Sequence, residues 1–198
     1  MNTVASLMFT FNLFRHINAG HTNIDFKEAG SQVGFQTKQV DHLDRTQCIF
    51  LKGCMLGGVG ERYFVNLPSL VLKMGKHTGD ICLINRTRDV SLALRHTAGA
   101  MGRSLPQYPL DFPVLGSFLS ALRRVGTGQG ELSVQDIQHH KAYGQRVDRL
   151  EMIKFMIQRY DTSVEEILEL EELYNTIVAI PAWVTHPLLA KMTLCDYY

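Results

Sequence analysis

The chain has 198 residues, 45% hydrophobic and 20% charged, proportions that exclude a disordered or fibrous protein and suffice for one large core or two small ones. Its apolar runs, such as Ile177–Trp183, fall well short of the ~20 residues of a membrane-spanning helix. No basic residue precedes Arg15, so no secretory leader is expected. The net charge of +1 is unevenly spread: residues 73–124 hold eight Lys/Arg against three Asp/Glu, and residues 125–198 hold six against eleven. That asymmetry points to an anionic partner or to head-to-tail self-association.

In chain order, Val4–Phe14, Thr46–Leu51 and Tyr63–Leu72 are rich in β-branched and aromatic residues and read as strands, with Pro68 breaking or edging the third. Gly53, Gly57, Gly58 and Gly60 mark a tight connection, and the short apolar run Ile81–Ile84 is taken as a buried strand. From Arg88 the period becomes helical, with Val90, Leu94, Ala98 and Met101 on one face. After a Pro-containing link, Leu105–Phe112, Pro113 is placed in the first turn of a helix carrying Val114, Leu115, Phe118, Leu119 and Leu122. Gly126-Thr-Gly128-Gln-Gly130 reads as a hinge.

Ser133 is suited to cap the next helix. Leu150, Ile153, Ile157 and Tyr160 predict one amphipathic helix, and Ile167, Leu170, Tyr174 and Ile177 another. The second opens on a capping box, Ser163 with Glu166, and Asp161-Thr162 joins the two into a hairpin. Trp183–Met192 reads as a last short helix. The expectation is an α+β fold: a mostly antiparallel sheet over about residues 4–84, then a helical C-terminal half. The parts would be 1–125 and a helical subdomain 126–198. Cys48, Cys54, Cys82 and Cys195 are read as small buried groups in a reducing compartment. That implies an intracellular setting, cytoplasmic or nuclear, or a place in a virion or large complex.

The strongest functional signal is the basic segment 73–124. Arg88, Arg95, His96 and Arg103 fall opposite the apolar face of the proposed helix, beside Arg86, Lys73 and Lys76. Guanidiniums offer a planar fork of donors and a permanent charge, which suits phosphate oxygens. A solvated or subunit-facing surface is the plainer reading of the same arginines. Few aromatics lie nearby for base stacking, so RNA or DNA would be held by its backbone.

Three other patterns are weaker. The glycine cluster 53–60 lacks the Lys-Ser/Thr of a phosphate-binding loop and reads as a turn. Cys48, Cys54, His77 and Cys82 are the residue types zinc prefers, at looser spacing than zinc knuckles show, so no cofactor is expected. His139 and His140 are the alternative catalytic pair, one acting as acid/base in a metal-independent phosphodiesterase or ribonuclease.

Glu165, Glu166, Glu169 and Glu172 share one helical face. Two stand near the helix start, where the dipole favours anions. The same face is suited to meet a partner or the basic stripe of another copy. Taken together, the residues predict a non-catalytic binding and self-assembly protein that holds a polyanion through segment 73–124. A pure protein scaffold is the third possibility.

Overall fold

The computed structural model describes residues 28, 31–32, 34, 49, 53–57, 63–74, 79–104, 111–130 and 148–197. By compactness the chain divides into two units, Met1–Leu43 and Asp44–Tyr198. In the first, Ser31 Oγ donates to Glu28 O at 2.8 Å and a helical turn ends on Gly34 at φ 81°. All elements below belong to the second.

The second unit is mainly helical. Strands β1 (Gly53–Leu56) and β2 (Tyr63–Asn66) form one antiparallel hairpin with Cys54 opposite Val65. Pro68 ends β2: Leu67 is held extended ahead of it, and a 3-10 turn (Pro68–Leu70) runs into α1 (Val71–Met74). The expected strand 63–72 is therefore half strand and half helical turn. The expected strands Val4–Phe14 and Thr46–Leu51 lie outside the described residues, Ile49 aside.

Ile81–Ile84 is a helix, α2, where a strand was expected. Four consecutive apolar residues do not distinguish the two; the flanking polar groups do. Asp80 accepts from Cys82 N and Leu83 N, and Asn85 Nδ2 donates back to Ile81 O at 2.9 Å. Beyond α2, Arg86 N donates to Leu83 O and Thr87 N to Cys82 O, with Arg86 at φ 52°. This paired ending places Arg86 where glycine is usual.

Five longer helices follow: α3 (Val90–Ser104), α4 (Leu115–Val125), α5 (Arg149–Tyr160), α6 (Val164–Thr176) and α7 (Pro187–Tyr197). α4 begins two residues after Pro113, because Val114 turns left-handed (φ 65°) before the helix starts. α7 begins at Pro187 rather than Trp183, with proline at its first position. The expected cap Ser133 and most of the link 105–112 lie outside the described residues.

One apolar cluster joins the hairpin (Leu56, Val65), the turn after it (Leu67, Met74), α4 (Leu115, Leu119), α5 (Met152, Met156), α6 (Ile167, Leu170) and α7 (Leu188, Met192). Burying each such side chain contributes ~1.5–3 kcal/mol. The buried stripe of α5 is Met152, Phe155, Met156, Arg159 and Tyr160, rotated from the expected Leu150, Ile153, Ile157 and Tyr160; Leu150 is 69% exposed. Helix α6 buries Ile167, Leu170 and Tyr174 as expected, with Glu171 among them.

The buried residues of α3 stand apart from that cluster. Its most extensive contact is with α4, and glycines make the approach possible. A Cβ at Gly99 would fall on Thr127 O, one at Gly126 on the backbone of Gly99, and one at Gly130 on His96 O. The stretch expected to act as a hinge is thus laid against α3: Thr127 N donates to Arg95 O at 3.1 Å. Among the described residues no helix is long and apolar enough to cross a membrane.

Candidate functional site

The basic residues separate once folded. Arg103 lies across the stretch that covers α3, donating to Thr127 O at 2.7 Å and Gly130 O at 3.5 Å. His96 joins it, with Nδ1 2.5 Å from Thr127 Oγ1. Arg123 Nε donates to Gly102 O at 2.6 Å. Arg124 closes the end of α6, its Nη2 donating to Tyr174 O and Asn175 O at 2.9 Å and to Ile177 O at 3.0 Å. Arg123 and Arg124 thus answer orphan carbonyls at helix ends, and Arg103 answers loop carbonyls beyond α4. Lys73 is drawn elsewhere, with Nζ 5.0 Å from the Tyr197 ring centroid. Lys76 lies outside the described residues.

What remains is a corner where α2 turns into α3. Arg86, Arg88 and Arg95 are exposed there, and no hydrogen bond or ion pair to a described residue engages their guanidiniums. The corner's two carboxylates are turned to backbone amides: Asp80 caps α2, and Asp89 Oδ1 accepts from Leu92 N at 3.1 Å at the start of α3. Leu83 on α2 and Val90 at the start of α3 are also bare, 77% and 59% exposed. The face expected to be a continuous solvent stripe is instead divided. Arg86, Arg88 and Arg95 are open, while His96 and Arg103 are spent on the stretch 127–130.

At the opposite pole of charge, Glu166 completes the capping box on Ser163 and pairs with Lys191 at 2.8 Å. Hydrogen bonds from Lys191, then Thr162, hold its carboxyl down to about 2. Glu169 Oε2 is 3.7 Å from His186 Nε2. Glu165 and Glu172 are exposed, and backbone amides at the start of α6, with Ser163, lower the Glu165 carboxyl.

Two polar clusters escaped the sequence reading. Asp196 on α7, its side chain fully buried, accepts from Arg159 Nε at 2.9 Å, Arg159 Nη2 at 2.5 Å and Tyr160 Oη at 2.8 Å. Burial works against the Arg159 charge, but the bonds and charge of Asp196 outweigh it and raise the group's affinity for its proton. Burial, with the adjacent Asp196 charge, pushes Tyr160 well above the usual phenol range. In the second cluster, Glu171 takes both prongs of Arg149 at 3.1 and 2.7 Å and also accepts from Val114 N at 2.9 Å. Arg149 also donates to Asp111 O at 2.7 Å, so the pair clamps the strained turn before α4. All these groups satisfy one another and offer no open position to a substrate.

The remaining candidates do not converge on a site. Cys54 is buried on β1 and Cys82 half-buried on α2, neither in a disulfide. Their proposed companions Cys48 and His77, and the catalytic alternatives His139 and His140, lie outside the described residues. Among the described residues no three His, Cys, Asp or Glu side chains gather in a way that would hold a metal. Comparison with protein-family models, with characterised proteins and with solved structures returned no match.

Proposed function

We propose that the protein works by binding and assembly rather than catalysis, and that the α2–α3 corner holds a polyanion, RNA or DNA, by its phosphates. The observation that carries this is the contrast among the arginines. Arg103, Arg123, Arg124, Arg149 and Arg159 all have partners within the chain, whereas Arg86, Arg88 and Arg95 share one corner with none among the described residues. Arg86 adds weight: it stands at φ 52°, a backbone position where glycine would be at ease and an exposed arginine gains no bond to a described residue. No aromatic ring is described at the corner, which favours backbone contacts over base identity.

The test is fluorescence anisotropy with a labelled 20-nucleotide single-stranded RNA and a duplex DNA of arbitrary sequence. The expected result is binding to both at low salt and a loss of roughly tenfold or more in R86Q/R88Q/R95Q. Equal affinity of wild type and triple variant would overturn the assignment of the corner.

A further inference from the structure

The segment between α6 and α7 presents the most exposed large apolar side chains of the described chain. Trp183 is 95% exposed and Val178 83%. The segment leaves α6 at Ile177, and by His186 it has returned beside Glu169. It has therefore folded back along about 10 Å of the helix, seven residues at ~1.5 Å each. It runs past the side of α6 that carries Glu169, 71% exposed at its side chain, and Glu172, with Leu173 40% exposed. Single exposed apolar residues are ordinary. A bare tryptophan and a bare valine in a segment that returns to Glu169, on a helix side that also carries Glu172, have the composition of an interface anchor with an acidic rim.

The rim's charge restricts the occupant. Two such ends facing each other would set carboxylate against carboxylate, which disfavours a two-fold pairing through this surface, and a polyanion is repelled for the same reason. A complement needs guanidiniums together with exposed apolar side chains, and the α2–α3 corner carries both: Arg86 and Arg88 in the connection, Arg95 on α3, and Leu83 and Val90 exposed on the same two helices. Guanidinium on indole adds a cation–π contact to the charge pairing.

We infer that the Trp183 end of one copy docks on the arginine corner of the next. In the absence of nucleic acid the corner is thus closed by a second copy, and polyanion binding and self-association exclude each other. The contact is heterologous, so it propagates into rings or filaments. This regulation rests on the corner being the polyanion site, but the self-association it requires is measured without any polyanion.

The experiment uses nucleic-acid-free full-length protein in size-exclusion chromatography with light scattering, across concentration. Wild type is expected to grow in mass with concentration. V178S/W183S should delay that growth by more than roughly tenfold in concentration, the loss expected of a central anchor. R86E/R88E/R95E should abolish it. Mixing the two variants is the sharpest arm. Each keeps the surface the other has lost, so the mixture should form a 1:1 pair and stop there.

Adding the 20-nucleotide RNA should dissolve wild-type oligomers. At dilutions where wild type is monomeric, V178S/W183S should bind that RNA as tightly as wild type does. A wild type that stays monomeric up to its solubility limit overturns the inference, as do variants that remain monomeric when mixed. RNA that joins the oligomer without dissolving it overturns the exclusion. If the dilute monomer fails to bind RNA at all, the corner's polyanion assignment fails, whatever the assembly data show.

Discussion

Arg149 and Arg159 on α5 and the arginines of the α2–α3 corner are one residue type in two settings. On α5 each guanidinium faces a carboxylate buried in the same core, Glu171 or Asp196, at 2.7 and 2.5 Å. At the corner Arg86, Arg88 and Arg95 point to water while Asp80 and Asp89 are occupied with helix amides. A buried charge must be paired or it destabilises the fold, whereas an exposed unpaired one costs little and stays available. The C-terminal helices thus use arginine as a structural tie, and at the corner no described residue ties the three guanidiniums, which is the condition the proposed phosphate binding needs.

That division breaks most severely if one partner of the buried pair is removed. R159M should lower stability by ~3–5 kcal/mol, because it leaves Asp196 buried without its counter-charge. R159M/D196L should recover most of that loss in the same urea titration. The joint between the regions comes next. In G99V the side chain meets the backbone of Thr127, and overpacking of this kind costs about 1–3 kcal/mol. The stretch 127–130 should lift from α3, with its amides exchanging faster than in wild type.

At the corner a stabilising change should impair function. R86G relaxes the left-handed backbone and should raise stability by about 0.5–1 kcal/mol. The same variant should weaken RNA binding several-fold, whereas a purely structural arginine would lose stability instead. The smallest effect concerns pH. Glu166 is held down to about 2 when folded, below the ~4.3 of an unfolded glutamate. Its contribution is therefore complete above about pH 4.3 and is lost as pH falls through about 2. K191M removes the largest cause of that shift, so its stability profile between those values should be flatter than that of wild type.

How far the sequence reveals this structure depends on what each signal rests on. The capping box at Ser163 and the helical period of α6 are local, and both stand where periodicity places them. The stripe on α5 is hidden because Arg159 occupies a core position, where it pairs with Asp196, 37 residues away. The strand expected at Ile81–Ile84 fails because Asp80 and Asn85, not the apolar run, decide the local structure. Gly99 and Gly126 allow the chain after α4 to cross α3, Gly102 allows α4 itself to approach, and with that crossing His96 and Arg103 are engaged by the stretch 127–130. A helix containing two glycines is itself a sign of close backbone approach, and that sign was available in the sequence. Which arginines remain open was not, because each tie is made to a carbonyl or carboxylate distant in the chain.

The central claim, that the corner's arginines are free for phosphate while the others are structural, is tested most directly by the salt dependence of RNA affinity. Wild type, R86Q/R88Q/R95Q and R103Q would be compared with their melting temperatures measured in parallel. Each phosphate contact on single-stranded nucleic acid contributes about −0.7 to the slope of log K against log salt. The triple variant should therefore lose about 2 from that slope with its melting temperature unchanged. R103Q should keep the wild-type slope and melt earlier, because Arg103 is bonded to Thr127 and Gly130. The opposite pattern, an unchanged slope in the triple variant and a reduced one in R103Q, would contradict the division on which the account rests.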